Sequence, residues 1–181
     1  MKRLTLPLIC EILLLCIPLN IYVIGDNLAQ GVQWALFRYQ QSSMGNSLIL
    51  IHRDFQYVTG GILKGASAYS TMIWVAGAFL LVAAVLVLAV AVFRDQSGLV
   101  FPAGLLTVIG GLLFFAAMIV EYGPALANNH GSSVPVGVPV VVVTGLWLMY
   151  GKVGSTDEGA DPAAESRAEV PGQDGETRQE E

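Results

Sequence analysis

LTLPLICEILLLCIPLNIYVI, residues 4–24, is an apolar run broken by a single carboxylate, Glu11. Its reading decides how the rest of the chain is assigned. A helix of about 20 residues crosses the roughly 30 Å hydrocarbon core of a bilayer, and this run is long enough to do so. Met1-Lys2-Arg3 before it resembles the positive start of a signal peptide. Against cleavage, Glu11 interrupts the run, the run is long, and no small-residue cleavage site follows. Residues 4–24 therefore read as a retained membrane helix, and three further apolar stretches, 71–93, 99–120 and 134–150, read the same way. The fold expected from this pattern is an all-α membrane protein, a bundle of four transmembrane helices in residues 1–150 followed by a polar tail, 151–181.

Composition agrees with lipid as the main solvent. Hydrophobic residues make up 54% and charged residues 13%, against roughly 25% charged in soluble domains. The charge is segregated. Residues 151–181 hold three basic and nine acidic side chains, a balance of −6, which leaves +1 of the chain's net −5 for the first 150 residues. Val153 and Val170 are the only large aliphatics of the tail, which has no aromatic residue. It cannot bury enough surface to fold alone, so a disordered acidic segment is expected. Cys10 and Cys16, six residues apart, point about 240° apart on a helix and cannot bridge each other there. Both read as small buried hydrophobes.

Lys2, Arg3, Arg94 and Lys152 fall on one side of a four-pass arrangement, close to membrane ends, which places both termini in the cytoplasm and the chain in the cell membrane. Tyr22, Tyr69, Trp74, Tyr122, Trp147 and Tyr150 sit near expected helix ends, as interfacial aromatics do. Arg94-Asp95-Gln96-Ser97-Gly98 is a short connection that makes its flanking helices antiparallel neighbours. Ala103, Thr107 and Gly111 form a small-residue stripe on which another helix can pack closely. Val134 to Val143 carries Pro135, Pro139 and many β-branched residues. In water it would read as a strand, but in lipid a helix satisfies its own backbone, with a late start near Pro139.

Residues 26–70 form the long outer loop. Leu28, Val32, Ala35, Leu36 and Tyr39 recur at helical spacing, so Leu28–Gln41 is expected to be an amphipathic helix. Two β-rich runs, Ser47–His52 and Phe55–Thr59, flank a polar Arg53-Asp54 pair and suggest a short hairpin. The layout, a long first loop and a short second, is similar to that of claudin-type tetraspans, without the paired cysteines of that loop.

Glu11 is the sharpest candidate for chemistry. A carboxylate at membrane depth costs roughly 2.5 to 3.5 kcal/mol, so such a residue pairs with another helix, leans to an interface, or serves a pathway. His52, Arg53, Asp54, Glu121 and His130 are the outer polar candidates. Two histidines without a partner at ligand spacing make no metal site, and no cofactor motif, nucleophile elbow or phosphate loop occurs. The bilayer and a membrane-protein partner or second copy are the expected partners, with no nucleic acid. The function expected is that of an accessory, assembly or scaffold protein acting through protein contacts. The alternatives are a small transporter or channel subunit using Glu11, and a membrane enzyme built on His52, Asp54, Glu121 and His130.

Overall fold

Pro18 is where the four-helix expectation fails. Proline donates no backbone hydrogen bond and disfavours helix in the residue before it. The first helix, α1 (Lys2–Leu14), accordingly ends before it, through three i→i−3 turns at Leu15, Cys16 and Ile17. Beyond the proline, Asn-Ile-Tyr-Val-Ile alternates polar or aromatic with β-branched residues and forms a strand, β1 (Asn20–Ile24). The computed structural model describes residues 2–25, 28–129 and 131–151; the expected disordered tail beyond Gly151, and Asp26 and His130, lie outside them.

Five helices and one six-stranded antiparallel sheet make up the described residues. This replaces the all-α bundle of four transmembrane helices. The expected amphipathic helix 28–41 is instead a pair of strands, β2 (Ala29–Gln33) and β3 (Phe37–Ser42). The expected hairpin is half strand and half helix, with β4 (Gly45–Leu50) running directly into α2 (Ile51–Thr59). Two long helices follow, α3 (Ala66–Arg94) and α4 (Val100–Tyr122), joined through a 3-10 turn at Ser97–Leu99. The second loop supplies a two-residue β5 (Ala127–Asn128) and β6 (Gly131–Val134), and α5 (Val138–Tyr150) starts with Pro139 in its first turn. Among the described residues, only α3 and the Ser97–Tyr122 segment are long and apolar enough to cross a membrane. At 13 residues each, α1 and α5 reach only about 20 Å.

The sheet order is β4-β3-β2-β1-β6-β5. Strands β1 to β4 form a meander, and β6 joins its open side by pairing antiparallel with β1. Distant sequence thereby completes the sheet: Ile21 pairs with Val134 and Ile24 with Gly131. α1 packs on α3 and α5, α3 on α4, and α4 on α5. The turn between β2 and β3 reaches down into this helical assembly. Ala35 is fully buried, Trp74 Nε1 donates to its carbonyl at 3.3 Å, and Trp34 Nε1 donates to the Cys16 carbonyl at 3.1 Å. Trp74 packs against Phe114 with ring centroids 4.6 Å apart, in a core shared with Leu14, Leu19 and Val138. The sheet is thus seated on one end of the helices. A second, smaller core of Leu4, Leu88, Val100, Ala103 and Leu148 lies apart from it.

The helical exterior is apolar, with Leu6, Phe79, Leu86, Phe93, Leu112 and Val143 more than half exposed. Cys16 is also exposed and Cys10 is half-buried, which corrects the expectation that both are buried.

Candidate functional site

A strand shows alternate side chains to opposite faces, and cross-strand register sorts this sheet into rows. Asn20, Gln33 and Arg38 are aligned on one face, and two positions along, Ser133, Tyr22, Gly31, Gln40 and Ser47 form the next row on that face. Between them, on the opposite face, lies a row of Val134, Ile21, Val32, Tyr39 and Leu48. The usual arrangement, apolar inward and polar outward, is inverted. Asn20, Tyr22 and Ser133 are buried, whereas Val134, Ile21, Tyr39 and Leu48 are exposed.

The polar face turns toward α2 and the adjoining ends of α3 and α4, enclosing a cleft of about 490 Å³. Gly31 makes the geometry possible. A Cβ there would stand 2.5 Å from the Tyr22 ring. Without one, Tyr22 reaches across β2 to donate to Gln40 Oε1 at 3.5 Å. Asn20 Nδ2 donates to Gln33 Oε1 at 3.5 Å. The Arg38 Nη2 atom donates to Asp54 Oδ1 at 2.7 Å, joining β3 to α2. From the helical side, Ser67 Oγ donates to Glu121 Oε1 at 2.8 Å and Ser70 Oγ to the Ala117 carbonyl at 2.9 Å, tying the start of α3 to the end of α4. Trp74, Val75 and Met118 supply an apolar wall.

Burial pushes the Asp54 carboxyl above the usual carboxylate range, and the Arg38 guanidinium pulls it part of the way back. Burial also raises the Tyr22 phenol, against the opposing pull of Arg38. The arrangement is therefore a desolvated polar lining with one cation and two carboxylates, Asp54 and Glu121. Its hydrogen bonding is incomplete. Four buried side-chain polar atoms have no partner among the described residues, and three of them, Asn20 Oδ1, Arg38 Nε and Ser133 Oγ, lie on this one face of the sheet. Buried polar atoms are nearly always paired, and two of these three, on Asn20 and Arg38, belong to residues that line the cleft.

Of the outer candidates named from sequence, the cleft gathers Asp54 and Glu121. His52 and Arg53 occupy the exposed side of α2, away from it. Among the described residues, no group of three His, Cys, Asp or Glu is placed to hold a metal ion. Asn20, Tyr22, Gln33, Arg38 and Gln40 were missed as site residues. Part of their signal was present: Asn20-Ile21-Tyr22-Val23 and Phe37-Arg38-Tyr39-Gln40 alternate, although Gln41 and Ser42 continue the second run without alternation. That pattern is diagnostic once these segments are strands and uninformative while they are read as helix.

Glu11 lies outside the cleft. It is fully buried in α1, and the Thr107 hydroxyl of α4 donates to its Oε1, while Oε2 has no partner among the described residues. Thr107 Oγ1 is also 3.0 Å from the Ala103 carbonyl, so one hydroxyl proton serves two acceptors. Ala103, Thr107 and Gly111 are all buried in the helical interior, and Gly111 faces Val141 and Val142 of α5. Thr107→Val leaves the carboxylate without its donor and is expected to cost about 1 to 3 kcal/mol. Glu11→Gln, which keeps an acceptor for Thr107, costs less. Thermal unfolding of both variants in detergent checks the order.

No protein-family model matches this sequence, and no curated protein matches it.

Proposed function

We propose that this is a membrane-anchored accessory or assembly protein, with no catalytic role, which uses its sheet to hold a partner protein. Anchoring is assigned to α3 and α4. With 29 and 23 residues they extend roughly 44 and 35 Å, enough to cross a bilayer as an antiparallel hairpin. α1 and α5 lie against that hairpin and extend its apolar exterior.

The observation that carries the partner assignment is the apolar row across five strands, Val134, Ile21, Val32, Tyr39 and Leu48, which is exposed except at the half-buried Val32 and ends at the edge of the sheet among the described residues. Soluble surfaces rarely leave contiguous apolar patches uncovered. Among the described residues β4 has no strand beyond it, and it contains Gly-Asn-Ser-Leu-Ile-Leu, with neither the charges nor the proline that natural edges use to refuse further pairing. An extended segment of a partner added along β4 would satisfy these backbone groups and lengthen the apolar row by one strand. Lipid tails offer no hydrogen bonds to a strand edge. The next row on the same face, Ser132, Val23, Gln30, Gln41 and Asn46, is mostly polar, giving the apolar centre and polar rim of a protein interface.

A photo-crosslinking amino acid at Leu48, in full-length protein in its native membrane, is expected to form a discrete protein adduct. The same group at Leu86, on the apolar helical exterior, is not. Asn46→Pro, which removes an N–H that faces away from β3 on the free edge, should cut the Leu48 adduct about tenfold, corresponding to a loss of about 1.4 kcal/mol. An adduct of twice the chain's mass identifies the partner as a second copy. A lipid adduct at Leu48, or a protein adduct indifferent to Asn46→Pro, overturns the assignment.

A further inference from the structure

We propose that the cleft between the polar face of the sheet and the ends of α3 and α4 binds a neutral polyhydroxylated group, a sugar or glycerol moiety. Two buried polar atoms of the cleft lining, on Asn20 and Arg38, lack partners, and a third, on Ser133, lies on the same face of the sheet but outside the lining. Asn20 Oδ1 needs a donor, Arg38 Nε an acceptor, and the Ser133 hydroxyl accepts either role. Asn20 is 2% exposed and Ser133 4% exposed, so bulk water does not serve them freely. Asn20 and Arg38 are aligned across one strand, and Ser133 is registered directly beside Tyr22, in the neighbouring row. A hydroxyl donates and accepts through one atom, and several hydroxyls on one ring or chain offer both roles at short spacing.

Charge excludes the other polar classes. The one cation of the lining is engaged by Asp54 at 2.7 Å, and Glu121 adds a second carboxylate. A phosphate would meet two carboxylates for one guanidinium already paired. An ammonium would suit Glu121 and Asn20 but would leave Arg38 Nε without an acceptor. A neutral polyol satisfies both lining atoms without adding charge. The cleft volume of about 490 Å³ falls within the roughly 300–1,000 Å³ of small-molecule sites. Trp74, Tyr22 and Tyr122 provide flat apolar surface for the C–H face of a ring.

The hydroxyls arrive on a lipid headgroup or on a free glycoside; the first source rests on α3 and α4 crossing a bilayer. The test uses full-length protein purified in a detergent without a sugar headgroup and placed in phosphatidylcholine nanodiscs. The discs contain no further lipid, monoglucosyl diacylglycerol, or phosphatidylserine, and methyl glucoside is added separately in solution. Thermal unfolding reports binding, because a ligand that binds only the folded state raises Tm. A rise with the glucosyl lipid alone supports a lipid-borne group, and a rise with methyl glucoside as well supports the free source. In both cases Arg38→Lys, which keeps a cation beside Asp54 but removes the Nε donor, should weaken binding about tenfold. Asn20→Ala, which removes the unpartnered Oδ1 from the lining, provides a second variant if the first does not fold. Absence of a rise with either sugar, an equal rise with phosphatidylserine, or a rise unchanged in the variants overturns the proposal. Failure of the protein to co-elute with nanodiscs overturns the bilayer reading separately, while the methyl glucoside arm still decides the hydroxyl chemistry.

Discussion

Gly104→Leu is expected to lower the stability of the helical assembly by about 3 kcal/mol, the upper end for overpacking, and to detach α5 from α4. A Cβ at Gly104 would stand 2.7 Å from the Gly145 carbonyl oxygen and 2.8 Å from Leu148 Cβ, and one at Gly145 would stand 2.9 Å from the Gly104 carbonyl oxygen. Two backbones meet at this point, so no rotamer change relieves the clash. Small residues at such crossings let membrane helices approach closely. Gly98→Ala is the control, because a Cβ there meets nothing within 4 Å. Thermal unfolding, with a cysteine at Leu148 as an accessibility probe, should show a large fall in Tm and exposure of α5 for Gly104→Leu alone. An unchanged Tm would refute the close crossing.

Arg38→Met is expected to cost about 2 to 3 kcal/mol near neutral pH, less than the 3 to 5 kcal/mol of fully buried pairs, because the Arg38 side chain is 22% exposed. The loss arises from Asp54, left as a carboxylate with 8% exposure and no cation. Arg38→Met with Asp54→Leu should recover most of the stability, since neither charge then remains to be desolvated. The pH dependence has a definite sign. Asp54 already titrates above its unfolded value, so the folded state holds its proton more tightly, and its contribution to stability is lost as pH rises through the folded pKa. Without Arg38 that pKa moves further up, and the variant should regain stability as the pH falls from about 8 to about 5. Denaturant unfolding of wild type, single and double variants at the two pH values gives the comparison. A single variant that weakens further at the lower pH would contradict it.

How much of this was legible before the structure depends on where each segment finds its hydrogen bonds. The Thr71–Phe93 and Leu99–Val120 stretches were recognisable as helices because a helix closes its backbone bonds locally, and the structure extends them to Ala66–Arg94 and Val100–Tyr122. Ala103, Thr107 and Gly111 were likewise grouped from spacing alone. Residues 18–24 were absorbed into the first helix because their apolar content masked the stop at Pro18. Leu28–Gln41 satisfied a helical template by its apolar spacing, although Phe37-Arg38-Tyr39-Gln40 alternates once Trp34–Leu36 is read as a turn. Asp54 and Glu121 were named separately from sequence. Nothing local indicated that Arg38 would meet Asp54, or that Glu121 would face the same cleft.

By itself the sequence determined the long apolar helices, the concentration of acidity beyond residue 150, and the need of Glu11 for a partner, since each follows from composition or from periodicity within one segment. Only the tertiary structure decided that residues 20–24 and 29–50 are strands, because their backbone partners lie on other strands, and for β1 include β6, more than a hundred residues away. It also decided which face of the sheet is buried. Alternation divides a strand into two faces, but packing against α2, α3 and α4 chose the polar one and left the apolar row outside.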